Sequence, residues 1–96
     1  MPKGYWIAHV TITNPRRYKS YQDIAPEAFK KYDIKFLSRT NDAQTLEGNA
    51  WQRHVIIEFD SVEDAMECYN SAEYKLARAK RDGACKASIT IVEGLE

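Results

Sequence analysis

The stretch Arg53-His54-Val55-Ile56-Ile57-Glu58-Phe59-Asp60 has the strongest β-strand pattern in the chain. Side chains alternate between the two faces of a strand, so one face of this stretch is fully apolar and the other is mixed. The apolar face carries Val55, Ile57 and Phe59, and we expect it to pack under helices. The mixed face carries His54, Ile56 and Glu58, and we expect any polar site there.

Three further strands are predicted around this stretch, over residues 5–13, 35–40 and 86–92. In the first, Trp6 points to the helix side and His9 to the opposite side. In the second, Leu37 and Arg39 are expected to share a face with His54. The polar residues 41–49 predict a loop, or a loose hairpin with a short strand around 45–47.

Two helical regions are predicted, and each contains an interruption. The first begins at Asn14-Pro15, because asparagine is a favoured N-cap and proline fits the first helical turn. Pro26 is expected to break or kink this helix near Ile24–Ala25. The second region begins after the cap Ser61 and is interrupted at Asn70-Ser71, where Ser71 caps a further helix that ends near residue 81.

The predicted order β-α-β-β-α-β indicates an α+β fold of the ferredoxin-like type, a four-stranded antiparallel sheet with broken helices on one face. Residues 1–96 form a single domain, because a chain this short cannot supply two cores. No predicted helix is left to cover the second sheet face, which is too apolar to stay exposed. We therefore expect a homodimer whose two sheets pack over Ile7, Leu37, Ile56 and Val92.

Composition excludes several classes of protein. Fourteen basic residues balance fourteen acidic ones, whereas a nucleic-acid-binding protein normally has a basic surplus. The third strand also lacks the glycine and paired aromatics of RNA-binding domains with this topology.

The N-terminus does not have a signal-peptide pattern, and no apolar run reaches the ~20 residues of a membrane span. Cys68 and Cys85 lack metal-site spacing and are expected to be reduced thiols. We therefore predict a cytoplasmic protein that binds neither nucleic acid nor membrane.

Motifs along the whole chain resemble those of a known family. They are Lys3-Gly4-Tyr5-Trp6-Ile7-Ala8, Phe36-Leu37-x-Arg39, Arg53–Phe59, Cys68-Tyr69-x-Ser71-x-Glu73-Tyr74 and Ile91-Val92-Glu93-Gly94. Together they are similar to the family called domain of unknown function 1330, in the dimeric α/β-barrel superfamily. Asp33-Ile34 and Asn41-Asp42 depart from the family pattern by replacing glycines in loops. The resemblance implies a dimer whose sheets enclose a barrel-like space. It implies no specific activity, because the superfamily includes cofactor-free monooxygenases, isomerases and haem enzymes.

Candidate catalytic residues are expected on the sheet face that points away from the helices. They are His9, His54 and Glu58, because an imidazole titrates near neutrality and a carboxylate can orient it. Arg39 on the same face would hold an anionic oxygen. The alternative is structural, with these residues forming ion pairs such as Arg39 with Glu58 that fix the dimer. No metal site is predicted, because two histidines and a carboxylate on separate strands have no signature spacing.

Four aromatic residues are candidate ligand-binding residues together with Arg39. Trp6, Tyr18, Tyr21 and Tyr69 are core side chains in the simplest interpretation, but they would line any gap between helices and sheet. The first hypothesis for function is a homodimer that binds a small anionic or aromatic molecule between sheet and helices or in the barrel. Such a site would allow oxygenation or isomerisation without a cofactor, with His9, Arg39, His54 and Glu58 as its polar groups. The second hypothesis is a non-catalytic binding or regulatory dimer whose inward polar residues only stabilise the interface.

Overall fold

The computed structural model describes residues 2–95, in which four strands and three helices follow in the order β-α-β-β-α-α-β. The strands are β1 (Gly4–Ile12), β2 (Lys35–Thr40), β3 (Arg53–Phe59) and β4 (Cys85–Glu93). The helices are α1 (Pro15–Phe29), α2 (Val62–Tyr69) and α3 (Ala72–Lys80). The strands are antiparallel in the spatial order β2-β3-β1-β4. The predicted ferredoxin-like α+β fold is confirmed.

The two faces of the sheet differ as the alternation predicts. On the helix side, Trp6 of β1 and Phe59 of β3 are buried. The opposite face, here called the open face, includes Tyr5, Ile7, His9, Ser38, Thr40, His54, Ile56, Glu58, Ser88, Thr90 and Val92. Its aliphatic members range from half-buried to exposed, and Val92 is 37% exposed. The molecule is thin in one direction, with extents of 38 × 35 × 16 Å, as expected for one layer of helices on one sheet.

The three helices begin at the predicted side-chain caps. The Asn14 side chain accepts a hydrogen bond from the backbone N–H of residue 17, and Ser61 and Ser71 accept equivalent bonds from residues 64 and 74. These bonds satisfy N–H groups that have no partner within a helix. The second helical region is divided between α2 and α3 at Asn70-Ser71, as predicted.

The predicted break or kink near Ile24–Ala25 does not divide the first helical region, which forms one helix from Pro15 to Phe29. Pro26 lies in the last turn, where the missing N–H removes a single backbone bond from a helix already anchored by its buried face. Ala25 and Ala28 both remain buried on that face. The backbone N–H of Lys30 still donates to the Pro26 carbonyl and completes the turn.

Of the two alternatives predicted for residues 41–49, the loop is confirmed and the hairpin with a short strand around 45–47 is wrong. Residues 41–52 form an irregular loop that is largely exposed, with Leu46 at 89%. The pairing of β2 with β3 begins at Thr40 and His54, so the loop enters and leaves the sheet at one edge. No residue of this loop takes part in the strand pairing seen over residues 2–95.

Candidate functional site

A cavity of about 620 Å³ lies between α1 and the helix side of the sheet, and we call it the helix–sheet cavity. Its lining comes from α1, α3, the α1–β2 connection and all four strands. Trp6, Phe29, Phe36, Ile34 and Ile57 make much of the wall apolar. None of the lining residues is an aspartate, a glutamate or a histidine. The space therefore has an aromatic, apolar interior without negative charge.

Three arginines lie at one end of this cavity. Arg39 is near the end of β2, Arg53 begins β3, and Arg81 precedes β4. These positions meet at the same end of the sheet, because Val10 near the end of β1 pairs directly with Arg53. Among residues 2–95 none of the three arginines forms an ion pair, since the ion pairs of that range use lysines. This end of the cavity, here called the basic end, has uncompensated positive charge.

Arg39 reaches the cavity because a β-bulge interrupts β2. Phe36 and Ser38 pair with consecutive residues of β3, so Leu37 is an additional residue between them. One extra residue reverses the alternation beyond it. Arg39 therefore points toward the helices, with its guanidinium carbon 4.5 Å from the centroid of the Phe36 ring. The prediction that Arg39 shares a face with His54 and Glu58 is wrong.

Two tyrosine hydroxyls lie beside Arg81 at the basic end. The hydroxyl oxygens of Tyr21 on α1 and Tyr74 on α3 are 2.7 Å apart. The Arg81 guanidinium carbon is 5.0 Å from the centroid of the Tyr21 ring. Burial raises the pKa of both tyrosines, and it holds the pKa of Tyr21 well above its usual value. Both hydroxyls are therefore neutral near physiological pH, and the site combines a cation with neutral hydrogen-bonding groups.

The predicted catalytic residues lie on the open face, across the sheet from the cavity. The Nδ1 atoms of His9 and His54 are 2.9 Å apart, and His54 Nε2 lies 3.1 Å from the carbonyl oxygen of Trp51, which can only accept a hydrogen bond. The Tyr5 hydroxyl donates to the Glu58 carboxylate at 3.2 Å. The structure therefore brings the two histidines together but pairs Glu58 with a tyrosine. Each of the three predicted groups has a hydrogen-bond partner.

The histidine pair borders a second space of about 500 Å³. Loop residues 43–47, 49 and 51 line one side of it, and the Trp51 and His9 rings are stacked with centroids 6.3 Å apart and planes inclined at 29°. Within residues 2–95, no three side chains of the His, Cys, Asp or Glu type are arranged to hold a metal ion. No helix in that range combines the length and hydropathy needed to cross a membrane.

A family model described as a domain of unknown function (DUF1330) matches residues 3–95. The chain belongs to the DUF1330 family. No curated protein matches it.

A solved structure of a protein of unknown function from Rhodopseudomonas palustris aligns with a TM-score of 0.79 at 16% identity, over 99% of this chain and 84% of that one. SnoaB, a cofactor-independent oxygenase from Streptomyces nogalater, aligns with a TM-score of 0.65 at 9% identity, over 100% and 96%. A dimeric ferredoxin-like protein of unknown function from Thermobifida fusca aligns with a TM-score of 0.63 at 11% identity, over 96% and 91%. At these identities the likeness concerns the fold.

In this DUF1330 protein the predicted ligand-binding residues lie in three different places. Trp6, Tyr21 and Arg39 line the helix–sheet cavity. Tyr18 is buried in a separate small cluster of the core. Tyr69 borders a different groove, between α3 and β4. A cavity was expected from the sequence only if the packing of helices on the sheet left a gap. The structure has such a cavity, and three of the five predicted ligand-binding residues line it.

Sequence reasoning missed Arg53, Arg81 and Tyr74 as lining residues. Arg53 was detectable, because it alternates with Val55 and Ile57 and so belongs to the helix side of β3. Arg81 and Tyr74 carry no comparable signal. Their place beside the cavity depends on how α3 packs against α1, which the periodicity of α3 does not specify.

The two cysteines are free thiols in different environments. Burial, with a smaller contribution from the Glu73 carboxylate, raises the pKa of Cys68 to about 12. Because the thiolate is the reactive form, Cys68 is expected to be inert in the folded protein, whereas the half-buried Cys85 is accessible. We expect one thiol per chain to react with Ellman's reagent at pH 8 and two to react in denaturant. Cys85→Ser should abolish the native reaction, and rapid native labelling of both thiols would contradict the prediction.

Proposed function

We propose that this DUF1330 protein binds a small organic anion with an aromatic body in the helix–sheet cavity. The observation that carries the proposal is the combination of an aromatic wall with three unpaired arginines and no lining carboxylate. The volume of about 620 Å³ falls within the range of small-molecule sites, about 300–1,000 Å³. Apolar walls would bury the body of the ligand, and the basic end would hold its negative charge.

The binding unit in this proposal is a homodimer formed through the open face. Half-buried Ile7 and Ile56 lie opposite each other in the β1–β3 register, near the exposed Val92. Burying each such side chain against a second sheet would contribute on the order of 1.5–3 kcal/mol. The dimeric ferredoxin-like protein from Thermobifida fusca supports this arrangement by analogy of fold. A cytoplasmic location is part of the proposal and is supported by the free cysteines, since thiols persist in reducing compartments.

In this dimer His9, His54 and Glu58 have a structural role. Each of these three side chains bonds to a neighbour through at least one atom, and these bonds hold the open face together. The histidine pair and the Tyr5–Glu58 bond both join β1 to β3 on the open face. This favours the second sequence hypothesis for these residues, while the cavity supports the ligand-binding part of the first.

A second candidate function is cofactor-free oxygenation or isomerisation inside the helix–sheet cavity. The specific observation in its favour is the neutral tyrosine pair next to Arg81, which could stabilise negative charge that develops on a substrate oxygen. The fold likeness to a cofactor-independent oxygenase is consistent with this chemistry and does not by itself establish it.

Binding of 1-anilinonaphthalene-8-sulfonate, a fluorescent aromatic anion, tests the proposal. We expect one saturable site per chain. Arg53→Gln should raise the Kd about tenfold or more, because it removes a charge-assisted hydrogen bond. Ala25→Leu should also weaken binding by filling part of the cavity, which Ala25 lines.

The matched control is Arg16→Gln, which removes an equally charged side chain from the exposed first turn of α1. Its Kd should equal that of the wild type. Fluorescence that never saturates, or that loses the same affinity in Arg16→Gln and Arg53→Gln, would contradict a specific site at the basic end.

A further inference from the structure

Both ring nitrogens of His54 form hydrogen bonds, and these bonds fix the position of its proton. Nε2 lies 3.1 Å from the carbonyl oxygen of Trp51, which can only accept, so Nε2 carries the proton. In a neutral ring the other nitrogen, Nδ1, is then an acceptor. The Nδ1 atom of His9, 2.9 Å away, is therefore the donor of the bond between the two rings.

This arrangement leaves His9 with one unprotonated nitrogen. With the proton on Nδ1, a neutral His9 ring has its lone pair on Nε2. Within residues 2–95 the His9 side chain is hydrogen-bonded to His54 through Nδ1, and Nε2 has no partner. Because His9 lines the second space, this lone pair is available to a donor that enters there. The Trp51 carbonyl thus sets the proton positions of two rings in series and makes His9 an acceptor.

The lining of the second space suits a positively charged ligand. Among the described lining residues Glu47 alone has a fixed charge, and none is a lysine or an arginine. Gln44 and Asn49 add amide oxygens, and Trp51 adds the type of aromatic ring whose face attracts a cation most strongly. This is the reverse of the helix–sheet cavity, whose lining has three arginines and no carboxylate.

We propose that the second space binds a small organic ammonium ion, whose N–H donates to His9 Nε2 and whose charge is balanced by Glu47. An ammonium group has donors and no acceptor, so it matches an unprotonated imidazole nitrogen, a carboxylate and a tryptophan face. The volume of about 500 Å³ lies within the range of small-molecule sites, about 300–1,000 Å³. Apart from half-buried Trp51, the loop residues of the lining are exposed, so the ligand can enter from solvent.

This site is independent of anion binding in the helix–sheet cavity, which lies on the other side of the sheet. It is also compatible with the structural role of the histidine pair. Because the ligand uses Nε2 of His9, the bond between the two Nδ1 atoms that joins β1 to β3 is kept.

Long-range ¹H–¹⁵N NMR spectra test the proton positions, and they are simple to assign because the chain has only two histidines. At pH 8 we expect His9 to carry its proton on Nδ1 and His54 to carry its proton on Nε2. His54→Phe removes the acceptor, so the His9 proton should no longer be confined to Nδ1. A wild-type spectrum with the His9 proton on Nε2 would overturn the inference.

Isothermal titration calorimetry with 2-phenylethylamine, which is a cation at pH 8, tests the ligand class. We expect one site per chain, and we expect the uncharged analogue 2-phenylethanol to bind at least about tenfold more weakly. His9→Phe should raise the Kd about tenfold or more, because it keeps an aromatic ring and removes the acceptor. Glu47→Gln should raise the Kd about threefold, as is usual for an exposed charge pair.

The matched control is Glu63→Gln, which removes another exposed carboxylate, in the first turn of α2, and should leave the Kd unchanged. An absence of saturable binding, equal affinity for the amine and the alcohol, or equal weakening in Glu47→Gln and Glu63→Gln would each refute the site. If His9→Phe does not fold, as judged by circular dichroism, Glu47→Gln decides, because a wild-type Kd in that loop variant contradicts the assigned charge. Binding of the sulfonate probe is measured separately, so failure of the ammonium site and failure of the proposed function are distinguishable.

Discussion

Replacing Trp6 by alanine is expected to lower the free energy of unfolding by about 3–5 kcal/mol, the range for removing a buried aromatic side chain. Trp6 is 2% exposed and lies at the centre of the aromatic core. Its ring centroid is 5.1 Å from that of Tyr74, 5.6 Å from that of Phe29 and 5.9 Å from that of Phe59. Neighbours from three different elements cannot all move inward to fill the space, so most of the cavity created by the substitution should persist.

Urea unfolding followed by far-ultraviolet circular dichroism measures this effect. The matched control is Trp51→Ala, which removes the same side chain from the half-buried mouth of β3. It should cost about 1 kcal/mol or less, as is usual for positions outside the core. Equal losses of stability in the two variants would show that the aromatic core is not centred on Trp6.

The fold was predictable because its information is local. The alternation in β3 and the caps at Asn14, Ser61 and Ser71 each follow from a few adjacent residues, and the structure reproduces them. The error at Pro26 was also local, since the rule for proline in a helix interior was applied to a residue in the last turn. Local rules locate elements well and their ends less well.

The site was less predictable because its information lies between elements. The face of the sheet on which Arg39 lies depends on the bulge between β2 and β3. A bulge is a property of how two strands pair, so it cannot be detected from the alternation of residues in β2 alone. Arg81 meets Tyr21 only through the packing of α3 on α1. His9 and His54 were placed correctly on one face by alternation. That argument could not reveal that the two side chains bond to each other.

Ile56→Glu is expected to dissociate the proposed homodimer and to raise its dissociation constant by at least about 100-fold, because it places an unpaired charge at the centre of the interface. Ile56 pairs with Ile7 on one side and with Ser38 on the other, so it is surrounded by sheet on the open face.

Sedimentation equilibrium of wild type and variant over a range of concentrations measures the change directly. The matched control is Leu76→Glu, at a site on α3 that is 64% exposed. It introduces the same charge on the helix layer and should leave the dimer intact. Both variants should keep the wild-type circular dichroism spectrum, since neither position belongs to the core. A wild-type protein that sediments as a monomer at all concentrations, or an Ile56→Glu variant that dimerises as tightly as Leu76→Glu, would show that the open face is not the subunit interface.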